Sequence, residues 1–121
     1  DQLVHGSFGA YIRDRRLRLE ASGEAYSLRQ MARRLGIDAS YLSRVERDVV
    51  LPPSDATITA LANDLRVDSD LLLALAGRIS TEVRQAILAR PTLMVSLVRQ
   101  LGKAPDKTLR TIAAVLETHQ S

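Results

Sequence analysis

Residues 27–46, Ser-Leu-Arg-Gln-Met-Ala-Arg-Arg-Leu-Gly-Ile-Asp-Ala-Ser-Tyr-Leu-Ser-Arg-Val-Glu, carry the spacing of two short helices that cross through a sharp turn. Met31, Leu35, Ile37, Leu42 and Val45 are the apolar positions that face inward from both helices. Ala32 falls where the helices touch, so a larger side chain there would force them apart. Gly36 stands where the chain must leave a helix, a position that often requires positive φ and so favours glycine. Polar residues return on the outer face of the second helix at Ser40, Ser43, Arg44 and Arg47. One packed face and one polar face give a helix that can enter a DNA major groove. The bare Ala-x-x-x-Gly spacing also occurs in αα-corners with no nucleic-acid partner. The flanks must decide between the two.

Upstream, Phe8-Gly9-Ala10-Tyr11-Ile12-Arg13-Asp14-Arg15-Arg16 is a basic helical start. Downstream, Glu46 leads through Arg47-Asp48-Val49-Val50-Leu51 to Pro52-Pro53-Ser54. With these flanks the chain resembles the XRE (Cro/CI-type) family of bacterial and phage repressors, whose pattern runs FGxxIRxxR, SLxxxAxxxGIxxxYLSxxE, then PS and LAxxLxV. The matching residues are Phe8, Gly9, Ile12, Arg13, Arg16, Ser27, Leu28, Ala32, Gly36, Ile37, Tyr41, Leu42, Ser43, Glu46, Pro53, Ser54, Leu61, Ala62, Leu65 and Val67. The resemblance covers about residues 8–77. It implies an all-α, five-helix, lambda-repressor-like DNA-binding domain and carries no information on the operator. Two departures bear on the loops. Asp48 stands where the family usually has glycine, and Asp tolerates the left-handed region less easily. The link Glu20–Tyr26 is also longer than usual.

The remaining composition fits this reading. The 121 residues show no sustained period-two alternation, and only 3% are aromatic, so the core must come from Leu, Ala, Val and Ile. There is no cysteine, which excludes disulfides and Cys-based zinc sites. The longest apolar run, Leu71 to Ala76, is far short of the roughly 20 residues that span a bilayer. No signal peptide is evident, although Asp1 is not a start-codon product and an upstream piece can precede it. The expectation is a soluble bacterial cytoplasmic protein, associated with the nucleoid through DNA. Net charge is only +3, but residues 8–47 hold nine Arg against five acids while the rest of the chain is slightly acidic. That distribution places positive charge where phosphates would be met.

Eight helices are expected. The first runs from Phe8 to Ala21, the second from Leu28 to Leu35 behind Ser27, and the third from Ala39 to Glu46 behind Asp38. The fourth covers Asp55 to Leu65, and the fifth carries Leu71, Leu72, Leu75 and Ala76 before Gly77. These complete a DNA-binding domain over residues 8–77. Residues 78–121 form a second segment of three short amphipathic helices, opened by Ser80 or Thr81, by Pro91 and by Pro105, with Gly102 ending the middle one. Their stripes, Leu93, Met94, Leu97, Val98, Leu101, Leu109, Ile112 and Leu116, hold more apolar surface than three short helices can cover. A dimer interface, or an intramolecular lid, would cover it. Dimerisation also suits DNA reading, because one recognition helix spans only about four or five base pairs. A two-fold dimer sets two such helices roughly 34 Å apart.

Position assigns the roles. Ala39, Ser40, Ser43 and Arg44 face outward to base edges, and of these only Arg44 can bind guanine O6 and N7 bidentately. Ser27 and Arg29 meet phosphate at a helix N-terminus. Arg47, Arg13 and Arg16 are further phosphate candidates, although Arg13 or Arg16 can instead pair with an acid inside the fold. Tyr41 either reaches the DNA backbone, as the resemblance implies, or packs its ring beside the helix. Enzymatic chemistry finds no support: His5 and His119 lie at opposite ends, and there is no His-x-x-x-His, glycine-rich phosphate loop or Ser-His-Asp spacing. No metal and no cofactor is implied. The partners expected are double-stranded DNA and a second copy. An antitoxin that binds a toxin, or a repressor removed by a regulatory metalloprotease, are alternatives that the resemblance leaves open.

Overall fold

A computed structural model of the chain describes residues 6–120. Among them the elements in order are α1 (Phe8–Ala21), α2 (Leu28–Leu35), α3 (Ala39–Glu46), α4 (Asp55–Leu65), α5 (Ser69–Leu75), α6 (Thr81–Ala89), α7 (Pro91–Leu101) and α8 (Asp106–Thr118). No strand is present among the described residues, so the all-α expectation holds. The chain divides into two compact units between Ser80 and Thr81.

In the first unit, local sequence starts and stops each helix. The Ser7 hydroxyl accepts from Ala10 N at the start of α1. Ser27 and Gln30 form a reciprocal capping box on α2, with Gln30 N donating to Ser27 Oγ (3.1 Å) and Ser27 N to Gln30 Oε1 (3.0 Å). Gly36 leaves α2 in the left-handed region at φ 69°, where Ile37 N reaches back to Ala32 O. This is the sharp turn that the spacing requires. Asp38 occupies the N-cap position of α3 with an extended backbone, but its side chain makes no capping bond. Ser54 and Asp68 do cap α4 and α5 through their side chains.

α1 crosses α3 and α4, α2 packs on α3 and α4, and α4 lies against α5. The centre is apolar: Ile12, Met31, Leu42, Ile58, Leu61, Leu65 and Leu72 are all completely buried. Each such burial is worth about 1.5–3 kcal/mol relative to exposure. Ala32 is buried at the α2 crossing, as its small size demands. Leu35 and Ile37 are only half-buried on the rim of this core, because they flank the turn. In α5 the inward pair is Leu72 and Leu73, while Leu71, Leu75 and Ala76 are half-buried.

The second unit is built differently. α7 packs on α6, and Pro91 sits in the first turn of α7, where a missing N–H costs nothing. Gly102 ends α7 with right-handed backbone at φ −63°, and tighter turns through Lys103 and Ala104 follow. Among the described residues from Thr81 onward none is buried. Ile87, Met94, Leu101, Leu109 and Ile112 are half-buried, and Leu93, Leu97, Val98 and Leu116 are exposed. A groove of about 430 Å³ runs along Leu97, Gln100, Leu101, Ala104, Ile112 and Leu116.

Candidate nucleic-acid interface

The placement of α3 begins with an ion pair in the core. Arg16 donates from Nε and Nη2 to the two carboxylate oxygens of Glu46 at 2.6 and 2.9 Å, and from Nη1 to Tyr26 O at 3.1 Å. Both side chains are almost wholly shielded from water. Such a pair persists only when its donors and acceptors are satisfied and the geometry is bidentate. The hydrogen bond to Glu46 raises the Arg16 pKa above its ordinary value, against the opposing effect of burial. Arg16 is therefore no phosphate contact, and that expectation is corrected. It is the acid-paired residue of the two that the sequence left open, and it ties the last turn of α3 to α1.

The turn behind α3 is tied to α1 a second time. Asp48 adopts the left-handed region at φ 57°. Its carboxylate accepts from Gly9 N at 2.8 Å and from the Ser7 hydroxyl at 2.7 Å. Asp48 thus holds a left-handed backbone, the conformation that favours glycine, and adds two bonds to α1. The long link before α2 is anchored as well. Tyr26 is buried, its hydroxyl donates to Asp64 O, and its ring lies 4.5 Å beneath the Arg34 guanidinium. Arg34 in turn pairs bidentately with Asp64 at 2.8 and 3.0 Å. Arg78 grips the α3–α4 loop through the carbonyls of Pro52 and Pro53 and the Asp55 carboxylate.

With its inner face fixed, α3 leaves Ser40 and Arg44 exposed and Ser43 half-buried. Ser40, Ser43, Arg44 and Arg47 recur at i, i+3, i+4 and i+7, opposite the buried Leu42 and Val45. Ala39 and Tyr41 are half-buried and pack against the core, so the Tyr41 ring takes the packing role. Ser27 is half-buried in its capping box, beside the exposed Arg29. The box satisfies the N–H groups of Ser27 and Gln30 and leaves those of Leu28 and Arg29 without an intrahelical acceptor. Arg13, Arg29, Arg44 and Arg47 are exposed, and none forms an ion pair among the described residues. Exposed guanidinium groups without an ion pair are thus present on α1, α2 and α3, and they are chemically suited to phosphate and base edges.

Three elements of this site escaped the sequence reading. Tyr26 sits in a polar stretch with no periodicity to mark it. The Asp48 bonds reach across 39 and 41 residues, and their only signal was a non-glycine residue at a glycine position. Arg78 lies beyond the motif altogether. His119 is exposed just after α8, while His5 lies outside the described residues. No helix among the described residues is long and apolar enough to cross a membrane.

Comparison with known proteins agrees with this geometry. A family model described as a helix-turn-helix domain matches residues 7–75. Two proteins of Mycobacterium tuberculosis, from strains CDC 1551 / Oshkosh and ATCC 25618 / H37Rv, are each 34% identical over 84 residues, and each bears the description uncharacterized HTH-type transcriptional regulator. The match covers 66% of this chain and 56% of each relative, so the chain spans little more than half the length of these curated relatives. No solved structure matches the chain. The motif at residues 27–46, the buried ion pair behind it and the family match together place the chain in the XRE-type helix-turn-helix family.

Proposed function

We propose that the chain is a sequence-specific regulator of transcription, a repressor that binds a palindromic double-stranded DNA operator as a homodimer. The observation that carries this reading is the polar face of α3, with Ser40, Ser43 and Arg44 turned to solvent while Arg16 and Glu46 lock the opposite face. The description of the two relatives as transcriptional regulators supports it. Arg44 reads guanine through two parallel hydrogen bonds, and the two serines supply adaptable donors beside it. Ala39, small and half-buried, leaves room for a thymine methyl. Ser27, Arg29, Arg13 and Arg47 hold phosphates, helped by the positive end of the α2 dipole.

Residues 81–120 supply the dimer interface in this reading. A helical unit with no buried residue is short of partner surface, and a stable interface covers about 800 Å² on each copy. Leu93, Leu97, Val98 and Leu116, with half-buried Met94, Leu101, Leu109 and Ile112, would provide its apolar centre. The salt dependence of DNA binding tests the electrostatic half of the proposal. If a dimer neutralises about six to ten phosphates, affinity falls by about a thousandfold or more between 50 and 200 mM salt. A binding isotherm that does not respond to salt over that range contradicts it.

A further inference from the structure

We propose that Asp48 is a positioning residue for base reading: its carboxylate clasps the start of α1 to the turn behind α3 and so sets how Ser40, Ser43 and Arg44 are presented. The inference rests on the DNA-reading role of α3 stated above. Its first support is that both carboxylate oxygens are occupied. Oδ1 takes the Gly9 N–H at 2.8 Å and Oδ2 the Ser7 hydroxyl at 2.7 Å. The Gly9 N–H belongs to the first turn of α1, where no intrahelical acceptor exists and the helix dipole favours a negative charge. The second support is the closeness of the contact. A Cβ added at Gly9 would fall within 2.7 Å of Val45 O, Glu46 O and Asp48 Oδ1, so the backbone of α1 rests directly on the end of α3. Two of the three atoms met are backbone carbonyls, and the third is the Asp48 carboxylate itself. A loosened tie therefore passes straight into the tilt of α3.

The third support is the oddity of the residue itself. Asp48 adopts φ 57°, a region that side chains other than glycine enter at a cost. It also places a negative charge beside Arg47, where phosphates would be approached, and that charge opposes DNA binding. Neither backbone ease nor attraction to DNA accounts for an aspartate here, whereas the two bonds to α1 do. Arg16 and Glu46 make the neighbouring tie inside the core, and Asp48 makes the one at its edge. Two separated ties fix an angle that one alone leaves free to rock.

The test compares a duplex selected by the full wild-type chain from a random library with a scrambled duplex of the same composition. Asp48→Gly keeps the left-handed turn and removes the acceptor. Its affinity ratio, selected over scrambled, is expected to fall at least tenfold, with scrambled-duplex affinity within about threefold of wild type. Asp48→Asn removes the charge but keeps an acceptor for Gly9 N, and its ratio is expected within about threefold of wild type. Ser7→Ala leaves Asp48 in place and removes the hydroxyl donor together with the α1 cap on Ala10 N, so its discrimination ratio is read beside its melting temperature, which reports the lost cap. It is expected to lower the ratio about threefold or more, and it decides the matter if Asp48→Gly does not fold. Unchanged discrimination in Asp48→Gly, or in Ser7→Ala where that variant decides, overturns the clasp, as does an Asp48→Asn loss equal to that of Asp48→Gly. A wild-type chain that selects no sequence overturns the parent reading instead.

Discussion

Arg13 and Arg16 stand three residues apart on α1 and have opposite fates. Arg13 is exposed, while Arg16 lies in the core against Glu46. The distinction was legible in part. Phe8, Ile12, Arg16 and Leu19 follow one helical stripe, so Arg16 occupies a core position by period, and a core arginine needs an acid. Which acid was not legible, because Glu46 lies 30 residues away. Arg16→Met leaves the Glu46 carboxylate buried without its partner. It should cost about 3–5 kcal/mol of stability in a denaturant titration. Arg16→Met with Glu46→Leu should recover most of that loss, because an apolar pair of similar volume leaves no orphaned charge. A single variant as stable as wild type would show that the pair is not buried in solution.

The helices themselves could be read from the chain because their ends are chemically marked. Ser7, Ser27, Ser54 and Asp68 cap four of them, Gly36 closes the second, and Pro91 opens the seventh. The loops resisted, since their anchors are long-range. Nothing near Glu24 marks it as the partner of Arg66, with which it pairs across the surface, or Tyr26 as a core residue held by Asp64. The Arg66 hydrogen bond holds the Glu24 carboxyl below the usual carboxylate range. A depressed folded-state pKa adds stability above the unfolded value, and that stability is lost as pH falls through the folded value. Glu24→Gln removes the contribution. The gap in melting temperature between wild type and variant should therefore be small, present at pH 6 and narrowing as pH falls below the ordinary carboxylate range of about 4. A gap that persists unchanged at pH 3 would show that the ionised pair contributes nothing. The surface position keeps the effect modest in either case.

At the scale of the whole molecule, residues 6–80 close a core of their own, and no described residue from 81 to 120 is buried. The apolar stripes of the second unit were legible, but what covers them was not, because one chain's sequence carries no image of its partner. Leu97→Asp would set an unpaired charge in the proposed interface. The wild-type chain should sediment as a dimer at tens of micromolar and Leu97→Asp as a monomer, with operator affinity falling steeply as the two half-site contacts lose their linkage. A monomeric wild type would direct these helices to another protein, and the antitoxin reading would move ahead. The central claim, that α3 reads DNA bases through Arg44, is met most directly by selecting duplexes from a random library with wild type, Arg44→Ala and Arg29→Ala in parallel. Wild type should enrich a two-fold symmetric site with half-sites about 10–10.5 base pairs apart. Arg44→Ala should lose about 1–3 kcal/mol on that site and its preference at one base pair in each half, and Arg29→Ala should weaken all sequences alike. An Arg44→Ala protein that enriches the same site with the same preferences would contradict the account.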